Sequence, residues 1–386
     1  MEKFDSILTQ LLTEGNYRSL PEELGPNILD FSSNDYLGIA KDKCLVEEFL
    51  KKIKTPSFSS SASRLLSGHQ KDYKELEEII ESEYKRPALL FNSGYHANTG
   101  LLPAIASVGS TLIVADKLVH ASIIDGIILS RADFKRYPHN DISALRKIIE
   151  RHHKKYGQIV MVTESIFSMD GDKAPLEELL EIKKEFNNVL LYLDEAHAFG
   201  VEGSRGLGLA RNTVSPGDWD FLIFPLGKAA ASMGAFVVCS EQAKDFFINR
   251  SRSLIFSTAL PPVQAQWSAL TLRTLFEMDK QREHLKKLSK RLSDILSNYT
   301  GHHKNLISHI QPFIIGDSHK TIALSKYLLE NGVKGLPIRR PTVPGGTERI
   351  RFSLSARLSF EDLNILEEIL KNYYGKEISD KAARQQ

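Results

Sequence analysis

The sequence predicts an α/β protein with a mainly parallel central sheet and a smaller α/β domain at its C-terminal end. Three observations point there. Short apolar runs such as 111–115, 159–163 and 189–193 lack polar alternation, as expected of strands covered on both faces. Amphipathic helical segments alternate with those runs, the pattern of βαβ units. Charged and hydroxyl residues stand directly after the runs, where open α/β sheets bind their ligands. The clearest case is the run 189–193, which stops at Asp194, Glu195 and His197, with Gly200 and Gly203 keeping the following loop slim.

With 386 residues the chain is too long for one typical core, so two subdomains around one site are expected. The boundaries read as an N-terminal helix and arm (1–33), a large domain (34–270) and a small C-terminal domain (271–386). A net charge of +2 with evenly mixed signs provides no concentrated basic field for nucleic acid or a membrane surface. The chain has two cysteines, Cys44 and the far-off Cys239, which ends an apolar run that reads as a buried strand, so neither a disulfide framework nor a Cys-rich centre is expected, and no metal. The N-terminus lacks a basic start with a long apolar core, and no apolar run approaches membrane-spanning length, so a cytoplasmic location is the expectation.

In order, residues 4–12 place Phe4, Ile7, Leu8, Leu11 and Leu12 at helical spacing. A strand begins at Ile28 and runs into Ser32-Ser33-Asn34-Asp35-Tyr36-Leu37-Gly38, a turn whose side chains can bond their own backbone. Residues 57–68 are Ser-rich, but Arg64-Leu65-Leu66 in their middle suggests a packed loop rather than a linker; the helix 73–83 follows. The strand 88–91 leads through Ser93-Gly94-Tyr95 into an apolar helix. Strand, small-residue turn and helix N-terminus together offer unpaired N–H groups and a positive dipole end, which suits a phosphate. Strands 111–115, 134–137 and 159–163 continue the alternation, with Pro138-His139-Asn140-Asp141 placed to cap the helix that starts near Ile142. His120, Glu164, Ser168, Asp194 and His197 all fall just after strands, on one edge of the sheet. One polar residue there means little, whereas five make a site.

Lys228 stands among small and apolar residues between the mainly apolar run 220–224 and the strand 235–239. Desolvation there favours the free amine, which makes this lysine a Schiff-base candidate. Farther on, the sequence predicts helices 263–278 and 285–296, strands 310–315, 333–338 and 350–354, and helices 321–330 and 360–373. Arg349 and Arg351 alternate with Ile350 and Phe352 as on a half-exposed strand and read as structural. The polar tail 376–386 reads as disordered.

Ten motifs in order now carry a resemblance: FSSNDYLG (31–38), SRLLSG (63–68), FNSGYHAN (91–98), DKLVHASIIDG (116–126), PHND (138–141), TESIFSMDGDKAPL (163–176), DEAHAFGVEGSRG (194–206), GKA (227–229), FSTALPP (256–262) and RRPTVPGGTERIRFSLSA (339–356). From about Asp30 to about Leu370 the chain resembles the α-oxoamine synthases. These are pyridoxal 5′-phosphate (PLP) enzymes of the fold type I, aspartate-aminotransferase-like architecture. The resemblance implies that 34–270 is the cofactor-binding domain and that Lys228 carries PLP. Asp194 then pairs with the pyridine nitrogen, and His120 stacks on the ring. Ser168 and His197 bond its phenolic oxygen, while Ser93, Gly94 and Tyr95 cradle the phosphate. It implies a homodimer in which Ser257 and Thr258 reach the neighbour's phosphate. Arg339, with Asn34 and Thr342, is assigned to the amino-acid carboxylate, and Arg18 to the acyl substrate.

The activity implied is a decarboxylative condensation of L-alanine with a pimeloyl thioester, carried by coenzyme A or by acyl carrier protein. Condensation of glycine with acetyl-CoA, an aminotransferase, or a PLP-binding protein without turnover are the rivals. His120 and His139 are both candidate proton donors. Three departures stand out, one of them the Ser-rich segment before Ser63 and Arg64 where the family has a Gly-rich one. Pro225 occupies a position where relatives carry a phosphate-binding Thr, and it has neither a side-chain donor nor an N–H. Tyr73 replaces a family histidine near the Ser-rich loop.

Overall fold

The computed structural model describes every residue except 1, 21–22, 24, 26, 54–55, 214–217, 300–305 and 384–386. Its strands are β1 (Leu29–Asp30), β2 (Ala88–Phe91), β3 (Thr111–Asp116), β4 (Asp133–Tyr137), β5 (Gln158–Glu164), β6 (Val189–Asp194), β7 (Phe221–Pro225), β8 (Ala235–Val238), β9 (Ile310–Ile314), β10 (Val333–Lys334), β11 (Leu336–Ile338) and β12 (Arg349–Ser353). The chain divides into two compact units. One comprises Leu37–Ser168 and Asp172–Arg282; the other comprises Met1–Tyr36, Met169–Gly171 and Glu283–Gln386. The N-terminal 36 residues thus share a unit with the C-terminal part of the chain, and the long helix Asp279–Ser297 crosses the division.

The larger unit holds a seven-stranded sheet in the order β2-β8-β7-β6-β5-β3-β4. Strands β3 to β7 run parallel, and β8 runs antiparallel to both β7 and β2. The reason is local. Between β7 and β8 the chain has only residues 226–234, too few for the helical crossover a parallel partner needs, so it returns as a hairpin closed by Leu226 N–H to Gly234 O at 2.9 Å. β2, β3 and β8 are buried along their whole length, and β5 and β6 except at Gln158 and Leu190, as their unbroken apolar runs require. The edge strand β4 is the exception. Its exposed Asp133, Lys135 and Arg136 keep that edge from pairing further.

Helices Gly94–Ala106 and Ala121–Ser130 follow β2 and β3 and share the core of Leu89, Phe91, Ala115, Ile123, Val162 and Ile223. Gly126 lets them approach: a Cβ there would lie 2.5 Å from the backbone oxygen of Asn98. Asp141 caps the helix Ile142–His152 by accepting Ala144 N–H at 2.9 Å. A helix with no sequence expectation, Lys43–Lys52, begins at Asp42, which caps it through Leu45 N–H at 3.1 Å. The Ser-rich segment is a packed loop. Ser60 and Ser63 are buried, and Arg64 pairs with Glu77 at 2.7 Å and donates to Leu90 O at 3.2 Å. Tyr73 is fully buried in the helix Lys71–Tyr84, its hydroxyl donating to Leu260 O.

In the smaller unit β11-β12-β9 form an antiparallel sheet, and β1 pairs parallel with β10. Three expectations need correction. Residues 333–338 are not one strand but two, β10 and β11, in different sheets. Gly335 between them is the switch, since a Cβ there would lie 2.6 Å from Ile350 Cγ2. Arg349 and Arg351 are not half-exposed: both are buried on β12, because each has polar partners inside the unit. Arg349 pairs with Asp170 at 2.5 Å, and Arg351 donates to Asn34 Oδ1 at 3.2 Å. The alternation in sequence marked two faces, but not two exposures. The polar tail, expected to be disordered, continues the last helix, Phe360–Ala383; residues 384–386 lie outside the described residues.

Candidate active site

At the carboxyl edge of the parallel strands the larger unit encloses a pocket of about 500 Å³, part of it open to solvent. Gly94, Tyr95, His120, Asp194, His197 and Lys228 line it, together with Asn98, Ser122, Glu164, Ala196 and Pro225. The parallel register explains the grouping. Glu164 and Asp194 are paired neighbours at the ends of β5 and β6, and Ile223 of β7 sits opposite Asp194. His120 follows four residues beyond the end of β3, and His197 three beyond the end of β6. Lys228 arrives from the β7–β8 connection, where Gly200 (φ +86°) leaves room for the neighbouring Ala229: a Cβ on Gly200 would stand 2.5 Å from that of Ala229.

Asp194 is buried, and its carboxylate is held at both oxygens. Oδ1 accepts Ala196 N–H at 2.9 Å, and Oδ2 accepts the Asn98 side-chain amide at 3.1 Å. The same amide reaches Ser122 Oγ at 2.9 Å, and its carbonyl accepts the buried Tyr192 hydroxyl at 2.6 Å. None of Asn98, Ser122 and Tyr192 was singled out from the sequence. Two signals were there to read: Asn98 stands one helical turn after Gly94, and Tyr192 shares a strand face with Asp194.

His120 places Nδ1 against Ser122, accepting its backbone N–H at 3.2 Å and lying 2.7 Å from its hydroxyl. Burial, joined by the charge of Lys228, lowers its pKa below the usual imidazole range, while Asp194 opposes, so the ring is neutral. Its backbone N–H donates to Glu164 Oε1 at 2.5 Å. Glu164 is itself buried, and burial with the nearby Asp194 charge pushes its pKa up to about 8. Glu195, the other carboxylate of the pair that ends β6, serves the framework instead. It turns to accept Ala210 N–H at 2.8 Å, and burial raises it to about 8 as well.

Beneath the pocket, Ser93 caps the helix Gly94–Ala106 by accepting His96 N–H at 3.2 Å, and the Tyr95 hydroxyl donates to Asp125. Pro225 packs on Gly94 so closely that a Cβ at Gly94 would lie 2.4 Å from Pro225 Cγ. The helix N-terminus therefore faces the pocket with bare backbone.

Other expected residues lie off this wall. Ser168 is half-buried in the connection after β5, and Thr258 is exposed with Ser257 beside it, the Thr258 carbonyl accepting Asn92 Nδ2 at 2.6 Å. His139 sits between Asp116 at 3.0 Å and Asp172 at 2.7 Å, with Phe167 edge-on at 4.3 Å. In the smaller unit Arg18 donates to Thr342 Oγ1 at 2.8 Å, and Arg339 donates to the carbonyls of Gly15 and Tyr17. Asn34 Oδ1 accepts the Tyr36 hydroxyl at 3.0 Å as well as Arg351. Arg351 was read as structural, and its contact with Asn34 links it to the residues assigned to substrate. Among the described residues, no group of three or more His, Cys, Asp or Glu could hold a metal ion, and no helix is long and apolar enough to cross a membrane.

The family model described as aminotransferase class I and II matches residues 26–370. The chain belongs to that family. A member from Haemophilus ducreyi named 8-amino-7-oxononanoate synthase is 45% identical over 382 residues, covering 94% of this chain and 98% of its own. Among solved structures, serine palmitoyltransferase from S. paucimobilis, with PLP and myriocin bound, superposes with a TM-score of 0.86 at 25% identity over 96% of this chain and 97% of its own. The 8-amino-7-oxononanoate synthase of Francisella tularensis gives 0.74 at 28% identity, covering 91% and 99%. The fold is the type I fold of PLP-dependent transferases, and this member of the family is a PLP enzyme of the α-oxoamine synthase type. The pocket fits that cofactor on its own chemistry. It joins an amine, a buried carboxylate fixed at both oxygens, a neutral imidazole and a helix N-terminus bared by Gly94.

Proposed function

We propose that the chain catalyses the PLP-dependent condensation of L-alanine with a pimeloyl thioester, releasing thiol and CO2 and giving 8-amino-7-oxononanoate for biotin synthesis. The observation that carries this reading is similarity along the whole length: 45% identity over 94% of this chain to a protein of that name. Serine palmitoyltransferase superposes more closely, but a TM-score measures backbone and not substrate.

Bound PLP supplies an electron sink for the negative charge that develops at the amino acid's Cα when its proton leaves. Lys228 Nζ would hold the cofactor and, as a free amine, would take that proton as general base. Asp194 would keep the pyridine nitrogen protonated by its charge, in an orientation that its two donors fix. His120, on the pocket wall, would cover the ring face and shield it from water. His197, on the pocket wall, and Ser168, in the connection after β5, would serve the phenolic oxygen, and Ser93, Gly94 and Tyr95 would hold the phosphate. Pro225 supplies shape there and no donor, so backbone N–H groups carry more of the anion. Arg339, with Asn34 and Thr342, is assigned to the amino-acid carboxylate, and Arg18 to the acyl substrate. Of the two histidines weighed as proton donors, His120 is the one on the pocket wall.

We take the active form to be a homodimer in the cytoplasm, with no nucleic-acid or membrane partner, in which Ser257 and Thr258 serve the neighbour's phosphate. The test is a matrix of alanine, glycine and serine against acetyl, succinyl, pimeloyl and palmitoyl thioesters, followed by thiol and CO2 release. Alanine with the pimeloyl thioester of coenzyme A or of acyl carrier protein should lead. Faster turnover of glycine with acetyl-CoA, or of serine with palmitoyl-CoA, overturns the assignment, and formation of a keto acid instead makes the chain an aminotransferase.

A further inference from the structure

We propose that Asn98 is a positioning residue that sets the Asp194 carboxylate and the His120 imidazole together through one buried network. The inference rests on the reading that Asp194 and His120 meet the edge and the face of the cofactor ring.

Hydrogen-bond inventory fixes the network. A carboxylate only accepts, so the NH2 end of Asn98 must face Asp194 Oδ2, at 3.1 Å. Its second N–H goes to Ser122 Oγ at 2.9 Å. That leaves Asn98 Oδ1, which takes the Tyr192 hydroxyl at 2.6 Å. Ser122, accepting from Asn98, directs its own hydrogen to His120 Nδ1 at 2.7 Å. With Nδ1 accepting, the ring proton sits on Nε2. Asn98, Ser122 and Tyr192 are each at most 1% exposed, so a lost partner leaves a buried polar group unsatisfied. Tyr192 stays a neutral donor because burial, and then the Asp194 charge, hold its pKa well above the usual phenol range. Gly126 gives the two helices the close approach that brings Asn98 to Ser122. One amide therefore orients two groups from two different strand ends, and neither can shift without disturbing the other.

The experiment compares wild type, Asn98→Leu, Tyr192→Phe, Ser122→Ala and the Tyr192→Phe/Ser122→Ala double variant as full-length protein. Three quantities are read: PLP affinity by absorbance titration, the pH midpoint of the bound cofactor's absorption band, and the melting temperature. Asn98→Leu should weaken PLP binding by about 10- to 100-fold, the range for losing a hydrogen bond to a charged group, and should move the band's midpoint. The two milder variants should each weaken binding by about 3- to 10-fold, with a double variant whose loss is not the product of the two. If Asn98→Leu does not fold, the milder variants decide. Lowered melting temperatures with unchanged affinity and unchanged midpoint overturn the proposal, because a merely space-filling amide would behave that way. Asp194→Asn separates the two layers of argument. A wild-type spectrum and affinity for Asp194→Asn would remove the reading of Asp194, and this inference with it, whereas a defective Asp194→Asn beside unaltered network variants overturns the network role alone.

Discussion

His139 at neutral pH is an imidazolium clamped between two carboxylates. Burial works against its charge, but hydrogen bonds to Asp116 and Asp172, together with their charges, raise its pKa to about 10 from the usual 6.5. A folded-state pKa above the unfolded one means that the clamp's stability is fully present below about pH 6.5 and lost as pH rises through about 10. Wild type should therefore lose melting temperature between pH 7 and pH 10 more steeply than His139→Gln, which cannot titrate there. Parallel curves would remove the clamp as the cause. Gly94 is the other residue with a sharp expectation. Its Cβ position lies 2.4 Å from Pro225 Cγ, so Gly94→Ala should cost about 1–3 kcal/mol in urea denaturation as overpacking does. It should also weaken PLP binding, because the helix N-terminus must move away from the strand end. Wild-type affinity for PLP would show that the phosphate does not use this turn.

At the scale of elements, the loop 57–68 and the helix Lys71–Tyr84 act as one piece. Glu77 is 6% exposed and takes both Arg64 at 2.7 Å and Leu90 N–H at 2.9 Å on the same oxygen. Glu77→Ala removes the carboxylate that the Arg64 guanidinium and the Leu90 N–H share, leaving Arg64 only its neutral acceptors. It should cost about 3–5 kcal/mol by chemical denaturation, the range for breaking a buried pair by removing one partner. A loss under about 1 kcal/mol would mean that the loop is held by its serines alone. Ser60 ties that loop to the segment before the next helix through Ala259 O at 2.9 Å, and Ala259 N–H returns to Ala62 O at 3.0 Å. Those two segments carry Phe58, Leu66 and Phe256, each at least 70% exposed.

For the molecule as a whole, large apolar side chains so exposed on adjoining segments need a cover, and in the proposed homodimer a second copy supplies it. Phe256→Asp should shift the sedimentation equilibrium toward monomer and lower PLP affinity, since Ser257 and Thr258 follow directly. An unchanged dimer would place the interface elsewhere. Saturating PLP should raise the melting temperature of wild type in a concentration-dependent way, by the usual linkage between ligand and folded state. Lys228→Ala should lose most of that rise, and an equal rise in Lys228→Ala would show that the lysine does not hold the cofactor.

The succession of strands β2 to β8, the strand-end position of His120, Asp194 and His197, and the place of Lys228 before β8 were legible in the sequence, whereas the helices Lys43–Lys52 and Glu241–Arg250 were not. Period and turn chemistry act locally, and an apolar run with a polar stop announces a buried strand and its open end. What folding alone decided are relations between distant positions. Nothing in the local pattern says that Asn98 spans from Asp194 to Ser122, that Gly94 sits under Pro225, or that 333–338 divides between two sheets. Arg349 and Arg351 show the physical reason most directly. Their alternation on β12 marks a two-faced strand, but whether the charged face meets water or partners depends on Asp170 and Asn34, which the chain brings there from far away in sequence.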